Sequence, residues 1–331
     1  MANCHSLFTD FNSIIRLNNS KRKSLKNSRT SLRTKIRNYF KEKKTAEIQP
    51  KFSSQGSFVT DTIIEPIPRE VKEGKETRTL YYYDIDDGVY FIGDKKNRKS
   101  VQTYHNWIRD AVDGHTETPA KDKNTCVKTL FKDGHNIDHP IYFKDGTVPE
   151  LAHLSKNFIE SDPKAFKEWF DKMVKNKPQL RRIVRFIKAW CDYRKFKCQD
   201  KKMPSGFIMT ILACENYSPH DRDDIALKET MVLIKAKLDS SFTCYRPTTD
   251  STEELLIKFA AHKDYILQQF SSFITNAKNG LSERNHKKAC ENWQKNFGDR
   301  FPCQNAKDEV ESNNDSAALL TTASSSRMWA N

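Results

Sequence analysis

The chain has 331 residues, with 57 Lys and Arg against 43 Asp and Glu for a net charge of +14. Hydrophobic residues make up 37%, including 20 Phe and 11 Tyr, which excludes wholesale disorder, while 10 Gly and 12 Pro exclude collagenous and low-complexity classes. No apolar run approaches the roughly 18–20 residues of a membrane span, and Met1–His5 is not a secretory start, so a soluble cytoplasmic protein of two domains or two lobes is expected.

The first 51 residues hold 13 Lys and Arg against Asp10, Glu42 and Glu47, which is +10 of the total charge. Leu25, Leu32, Ile36 and Phe40 recur at helical spacing and predict a helix over 21–42, one stripe packed on the body and the rest a wide basic face. That face is either a solvated surface or a binding surface for nucleotides, nucleic acid or other polyanions, and composition leaves both open. Residues 51–68 read as a Ser/Gln/Gly stretch leading into an apolar strand at Phe58-Val59 and Ile63-Ile64, and 69–78 as an exposed charged loop. A strand rich in aromatic and β-branched residues is predicted over 80–93. A helix follows over 101–112, then a strand pair over 125–130 and 135–143 turning at Asp133-Gly134.

From 162 the pattern is helical: 163–175, 179–196, 205–215, 222–238, 251–276 and 282–297, with Ser251-x-x-Glu254 as a capping box. The expected layout is a mixed α/β half over 1–160, a helical half over 161–304, and a disordered polar tail over 305–331. Eight scattered cysteines without a CxxC pair read as reduced thiols. His286, Cys290 and Cys303 fit no common structural zinc spacing.

Three features carry chemistry. In a strand, residues i and i+2 share a face, so Asp84 and Asp86 present two carboxylates side by side, with Ile85, Val89 and Phe91 fixing the backbone. Two such acids repel and rise in pKa unless a cation neutralises them, and hard oxygen ligands select Mg²⁺ or Mn²⁺. Asp138, embedded in a second strand, supplies a third ligand for two-metal phosphoryl chemistry. Its neighbours His135 and His139 read as edge histidines rather than zinc ligands, and Asp87 faces away from the metals in a structural role. Gly56 lets a backbone approach a phosphate closely, and the Ser57 hydroxyl and successive amides donate to its oxygens. A Gly-Ser pair alone is a common loop dipeptide.

Together, Gly56-Ser57, Asp84-x-Asp86 and Asp138 resemble the signature of the polymerase-β-like nucleotidyltransferase superfamily. The run Asp84-Ile-Asp-Asp-Gly-Val-Tyr-Phe91 is similar to the bacterial cGAS/DncV-like nucleotidyltransferases, the CD-NTases of CBASS antiphage defence. Supporting strings are His105–Ile108, Ala111–His115, Asn124–Val127, Ser161–Pro163, Arg185–Trp190, Met203–Phe207 and Phe297–Pro302, so the resemblance runs in order from about Gln55 to Pro302. It implies an α+β, two-lobed fold: a catalytic core with a mixed sheet and helices, a C-terminal helical lobe, and an active site in the cleft between them.

By the same resemblance Asp84, Asp86 and Asp138 are the catalytic metal-binding acids, and Gln55, Gly56 and Ser57 the donor-phosphate turn. Lys188 and Ser205 match residues that grip the donor triphosphate. The residues agree. Leu180, Ile183, Val184, Ile187 and Cys191 form an apolar stripe with Lys188 at its border, and Ser205 follows Pro204 at the first turn of the next helix. The implied activity is magnesium-dependent condensation of NTPs, ATP or GTP or both, into a cyclic di- or trinucleotide that activates an effector protein. By the same resemblance activity is either constitutive, switched on by a peptide-sensing partner, or set by conjugation of the C-terminus by an E1/E2-like partner, and the sequence leaves these open. Two other readings stay open: a linear-oligonucleotide or RNA-end nucleotidyltransferase using the basic helix as its nucleic-acid surface, and an inactive nucleotide-binding module.

Overall fold

Two helices precede the sheet. α1 (His5–Ile15) buries Leu7, Phe8, Phe11 and Ile15. α2 (Asn19–Lys43) starts on an N-cap, the Asn18 side chain accepting from Lys21 N at 2.8 Å, and buries the expected stripe of Leu25, Leu32, Ile36 and Phe40. The structure, a computed structural model, describes residues 1–74, 76–249 and 252–309.

β1 (Lys51–Gln55) runs into a one-turn helix, α3 (Gly56–Val59), so Phe58-Val59 is helical and not the expected strand. The charged stretch expected as a loop is a hairpin of β2 (Arg69–Glu73) and β3 (Glu76–Leu80), paired to each other and to no other strand. β4 (Asp84–Ile92) is the site strand, and α4 (Val101–Val112) matches its predicted span. β5 (Lys121–Lys123), β6 (Cys126–Leu130), β7 (Asn136–Lys144), β8 (Glu150–His153) and β9 (Asn157–Glu160) complete the strands. The helical half holds α5 (Pro163–Val174), α6 (Pro178–Lys197), α7 (Gly206–Glu215), α8 (Asp223–Ser240), α9 (Lys263–Ser282) and α10 (His286–Phe297).

α9 begins later than the capping-box reading places it. Ser251 lies outside the described residues, and the Glu254 carboxylate accepts from Leu256 N at 2.7 Å and Cys244 N at 3.1 Å, ahead of a 3-10 turn over Ile257–His262.

The seven-stranded sheet has the order β1-β4-β7-β6-β5, with β8 on β7 and β9 on β8. β4 and β7 are parallel and the other neighbours antiparallel, so the sheet is mixed. Ile85, Val89 and Phe91 of β4 and Ile137, Ile141 and Phe143 of β7 pack on one face against Leu32, Ile36 and Phe40 of α2 and Tyr104 and Ile108 of α4. A second core gathers α5 to α10, and α1 joins it: Phe8 and Phe11 pack against Phe186, Phe297 and Phe301. The N-terminal residues thus pack with the helical lobe although they precede the sheet in sequence.

Two cysteines depart from the reduced-thiol reading. Cys290 and Cys303 form a disulfide with Cα atoms 5.6 Å apart, 13 residues apart in sequence, which also removes them as zinc donors. The pairing depends on the chain turning back after α10, which no local motif signals. That return continues beyond the expected tail boundary at 305: Lys307 N donates to His286 Nδ1 and His286 N to Glu309 O. The rest of the predicted tail, 310–331, lies outside the described residues. Among the described residues no helix is long and apolar enough to cross a membrane.

Candidate active site

Strand register assembles the acids. Asp84 lies beside Asn136 and Asp86 beside Asp138 on the parallel β4–β7 pair, while Gln55 lies opposite Asp86 on β1. Side chains alternate, so the apolar residues of β4 and β7 enter the helix-covered core and the acids emerge together on the other face. Asp84, Asp86 and Asp138 each offer a carboxylate oxygen, and these lie within 4.8 Å of one another.

The local electrostatics are those of a site built for a cation. Burial, then the neighbouring Asp84 and Asp138, push the Asp86 carboxyl up to about 8. Burial raises Asp138 to about 6 against the opposing pull of Lys128. Lys128 faces Asp138 across β6–β7, its Nζ 3.2 Å from Asp138 Oδ1 and donating to Asn136 Oδ1 at 2.9 Å. Three carboxylates crowded within 4.8 Å of one another, two of them raised by burial, fit a divalent ion bound by hard oxygen ligands.

The Gly56-Ser57 turn sits directly on this triad. Gly56 has φ +72°, and a Cβ there would overlap Asp86 Oδ2, so both the backbone and the carboxylate require glycine. The Gln55 side chain, at the start of the turn, is buried beneath it. Its buried amide donates to Tyr142 OH at 3.1 Å and accepts from Tyr90 OH at 3.4 Å, bracing the Tyr90–Tyr142 stack, whose centroids are 4.7 Å apart. After the turn the chain doubles back, Thr62 N and Ile63 N both donating to Ser57 O.

The helical lobe meets this return. Lys188 Nζ donates to Thr62 Oγ1 at 2.8 Å and to Thr62 O at 3.3 Å. Burial lowers Lys188 to about 8, opposed by the charges of Asp84 and Asp86, so the ammonium lies within reach of the triad's field. Its stem passes over Gly206, where a Cβ would come to 3.2 Å of Lys188 Cε. The preceding Ser205 is the N-cap of α7, exposed, its Oγ accepting from Ile208 N at 3.4 Å. Lys188 thus joins the helical lobe to the return that follows the Gly56-Ser57 turn, and its stem lies beside the N-terminus of α7.

His135 and His139 are buried rather than edge residues. β7 is central, so His139 points into the core and contacts the Asp87 carbonyl at 3.1 Å, while His135 stacks on Phe131. Asp87, wholly buried on the core face, is paired with Arg33 of α2, whose Nε donates to Oδ2 at 2.7 Å, and it also accepts from Ser54. Part of the basic helix is therefore turned inward: Arg29 bonds Ser54, Lys21 pairs with Glu65, and Arg22 with Asp61. Sequence reasoning missed Lys128 and Thr62. The alternation of β6 places Lys128 on the Asp138 face once the hairpin register is known, but Thr62 carries no local signal.

A mixed sheet with an acidic triad on adjacent parallel strands, preceded by a Gly-Ser turn and faced by a helical-lobe lysine, is the arrangement that the resemblance to polymerase-β-like nucleotidyltransferases implies. Residues 50–142 match the family model described as cyclic GMP-AMP synthase DncV-like, nucleotidyltransferase domain. A cyclic GMP-AMP synthase of Escherichia albertii is 29% identical over 63% of this chain and 46% of its own length, and that of Vibrio cholerae serotype O1 is 26% identical over 62% and 56%. The chain thus spans about half the length of the curated relatives it matches. The fold is similar to that of Vibrio cholerae DncV in its GTP-bound form, with TM-score 0.72 and 21% identity over 90% of this chain and 96% of that one. It is also similar to that enzyme in complex with the linear intermediate 5′ pppA(3′,5′)pG, with TM-score 0.71 and 19% identity over the same shares.

Proposed function

We propose that the protein condenses nucleoside triphosphates by nucleotidyl transfer and closes the product into a cyclic di- or trinucleotide. The observation that carries the reading is the convergence of Asp84, Asp86 and Asp138, beside a glycine turn pressed on Asp86 and across from Lys188. Gly56 and Ser57 present amides and a hydroxyl to the donor phosphates from the sheet, and Lys188 and the Ser205 N-cap of α7 do so from the helical lobe. Asp84 and Asp86 hold the triphosphate side of the site and Asp138 the side of the attacking ribose hydroxyl. Asp84, Asp86 and Asp138 would hold Mg²⁺, which would supply charge neutralisation of the triphosphate and a lowered pKa for the attacking hydroxyl. The hydroxyl attacks the α-phosphate in line and pyrophosphate leaves, and the chain's contribution is positioning and charge.

ATP and GTP are the substrates we assign, by analogy with the relatives' names and the nucleotides in the DncV complexes. The product's target is a cyclic-nucleotide-sensing effector in antiphage defence. Incubation with all four NTPs and Mg²⁺, then phosphatase, tests the reading. A product whose mass is unchanged by phosphatase supports ring closure, and a product that loses its terminal phosphates but keeps its phosphodiesters makes the enzyme a linear-oligonucleotide synthase. Asp84→Ala with Asp86→Ala abolishes pyrophosphate release while the circular dichroism spectrum is retained. Pyrophosphate release at the unmodified rate would refute the mechanism.

A further inference from the structure

Asp61 has a left-handed backbone, φ +52°, at the end of α3 where Thr62 N and Ile63 N return to Ser57 O at 3.0 and 3.1 Å. Such a helix-closing reversal ordinarily takes glycine or asparagine, since a side chain crowds the following carbonyl. An aspartate there calls for a use of its charge.

Its carboxylate gathers guanidiniums from three parts of the molecule. Arg16, just after α1, lies at 3.3 Å, Arg22 of α2 is paired to Oδ1, and Arg185 of α6 lies at 3.3 Å from Oδ2. Arg185 is almost wholly buried, and its Nε also donates to the Asp61 carbonyl at 3.0 Å while Nη1 donates to Asn12 Oδ1. Residues three apart on a helix share a face, so Arg185 anchors the face of α6 from which Lys188 reaches Thr62, the residue after Asp61. A single side chain therefore ties the reversal that fixes Ser57 to the helix that carries Lys188.

We propose that Asp61 is a positioning residue of the nucleotide site, holding the Gly56-Ser57 turn of the sheet lobe in register with Lys188 of the helical lobe so that both grip one triphosphate. The proposal rests on the nucleotidyl-transfer reading above. Electrostatics alone gives the opposite sign. Removing a carboxylate from among three guanidiniums leaves more positive charge beside the phosphates and would tighten their binding. Loss of register weakens it.

Asp61→Asn and Asp61→Gly both accept the left-handed backbone and remove the charge. The test compares wild type and variants in Mg²⁺ for binding of a non-hydrolysable NTP and of the matching nucleoside monophosphate, together with steady-state kinetics. The expected result is triphosphate affinity weakened about tenfold, monophosphate affinity within about twofold, and KM raised about tenfold with kcat changed less than about threefold. A merely structural role would lower the melting temperature or the active fraction without separating triphosphate from monophosphate. Equal losses for both ligands, unchanged binding, or tighter triphosphate binding would each overturn the proposal. A wild type that binds no triphosphate overturns the underlying reading and this proposal with it, and is told apart because the defect is then already present before any substitution.

Discussion

Asp86 is held beside Asp84 and Asp138 on the open face of the sheet, partly buried there, its carboxyl pushed up to about 8. An unfolded aspartate titrates near ~4, so the folded state binds the proton more tightly. Asp86's contribution to stability is complete below that value and is lost as pH rises through about 8. Asp86→Asn is therefore expected to melt higher than wild type at pH 8 to 9 in chelator, the difference shrinking towards pH 4. Fluorimetric melting across that range checks it, and a lower-melting variant at pH 9 would contradict the assignment. The same raised value means that metal binding near pH 7 displaces a proton from the triad. Titration calorimetry of Mg²⁺ or Mn²⁺ in buffers of different ionisation enthalpy is expected to show proton release at pH 7 that fades above pH 9. Gly56 is the backbone counterpart of this crowding. Gly56→Ala sets a methyl against Asp86 and strains a φ of +72°, with an expected loss of nucleotidyl transfer of about 10- to 100-fold, read as pyrophosphate release.

Helix α2 is bound to the sheet by more than its apolar stripe. Arg33 reaches over Phe52 to Asp87, which is wholly buried on the face of β4 opposite the triad. Removing one partner of such a pair leaves a buried charge without compensation, at a cost of about 3–5 kcal/mol, whereas replacing both with apolar residues is often close to neutral. Arg33→Met is thus expected to lower the urea midpoint strongly, and Arg33→Met with Asp87→Leu to recover most of the loss. An additive double variant would show that the pair is not the reason α2 is docked. The sequence pattern predicted both this helix and the strand it covers, because a stripe at helical period and an alternating strand are local signals. Helical spacing sets Arg22, Arg29 and Arg33 beside the apolar stripe, but which acid or hydroxyl each one meets depends on what the fold places beneath them.

Across the whole molecule, the segment 60–67 joins the lobes and is fastened to the helical one throughout. Beyond Thr62, Ile67 N donates to Asp192 Oδ2 at 2.9 Å, and Arg300 donates to the carbonyls of Glu65 and Ala189 at 2.9 and 3.0 Å. The Cys290–Cys303 disulfide closes a short loop behind Arg300. For a loop of that size the chain-entropy model gives about 3 kcal/mol, so Cys290→Ser is expected to melt several degrees lower, measured without reductant. Reductant should bring wild type close to the variant, and no difference between them would argue against the bond.

Strand alternation alone set Asp84 and Asp86 on one face, and helical angle alone set Lys188 at the border of its apolar stripe. The Gly56-Ser57 turn and Lys188 stood out only through the resemblance of their ordered motifs to a known family, since a Gly-Ser pair or a boundary lysine carries no local signal of its own. Long-range pairing lay beyond that reach. The parallel register that puts Asp138 beside Asp86, the return that sets Thr62 under Lys188, the Cys290–Cys303 bond and the packing of α1 with the far lobe all join residues distant in sequence. Such contacts follow from the combined packing of many elements, and no local period or propensity encodes them.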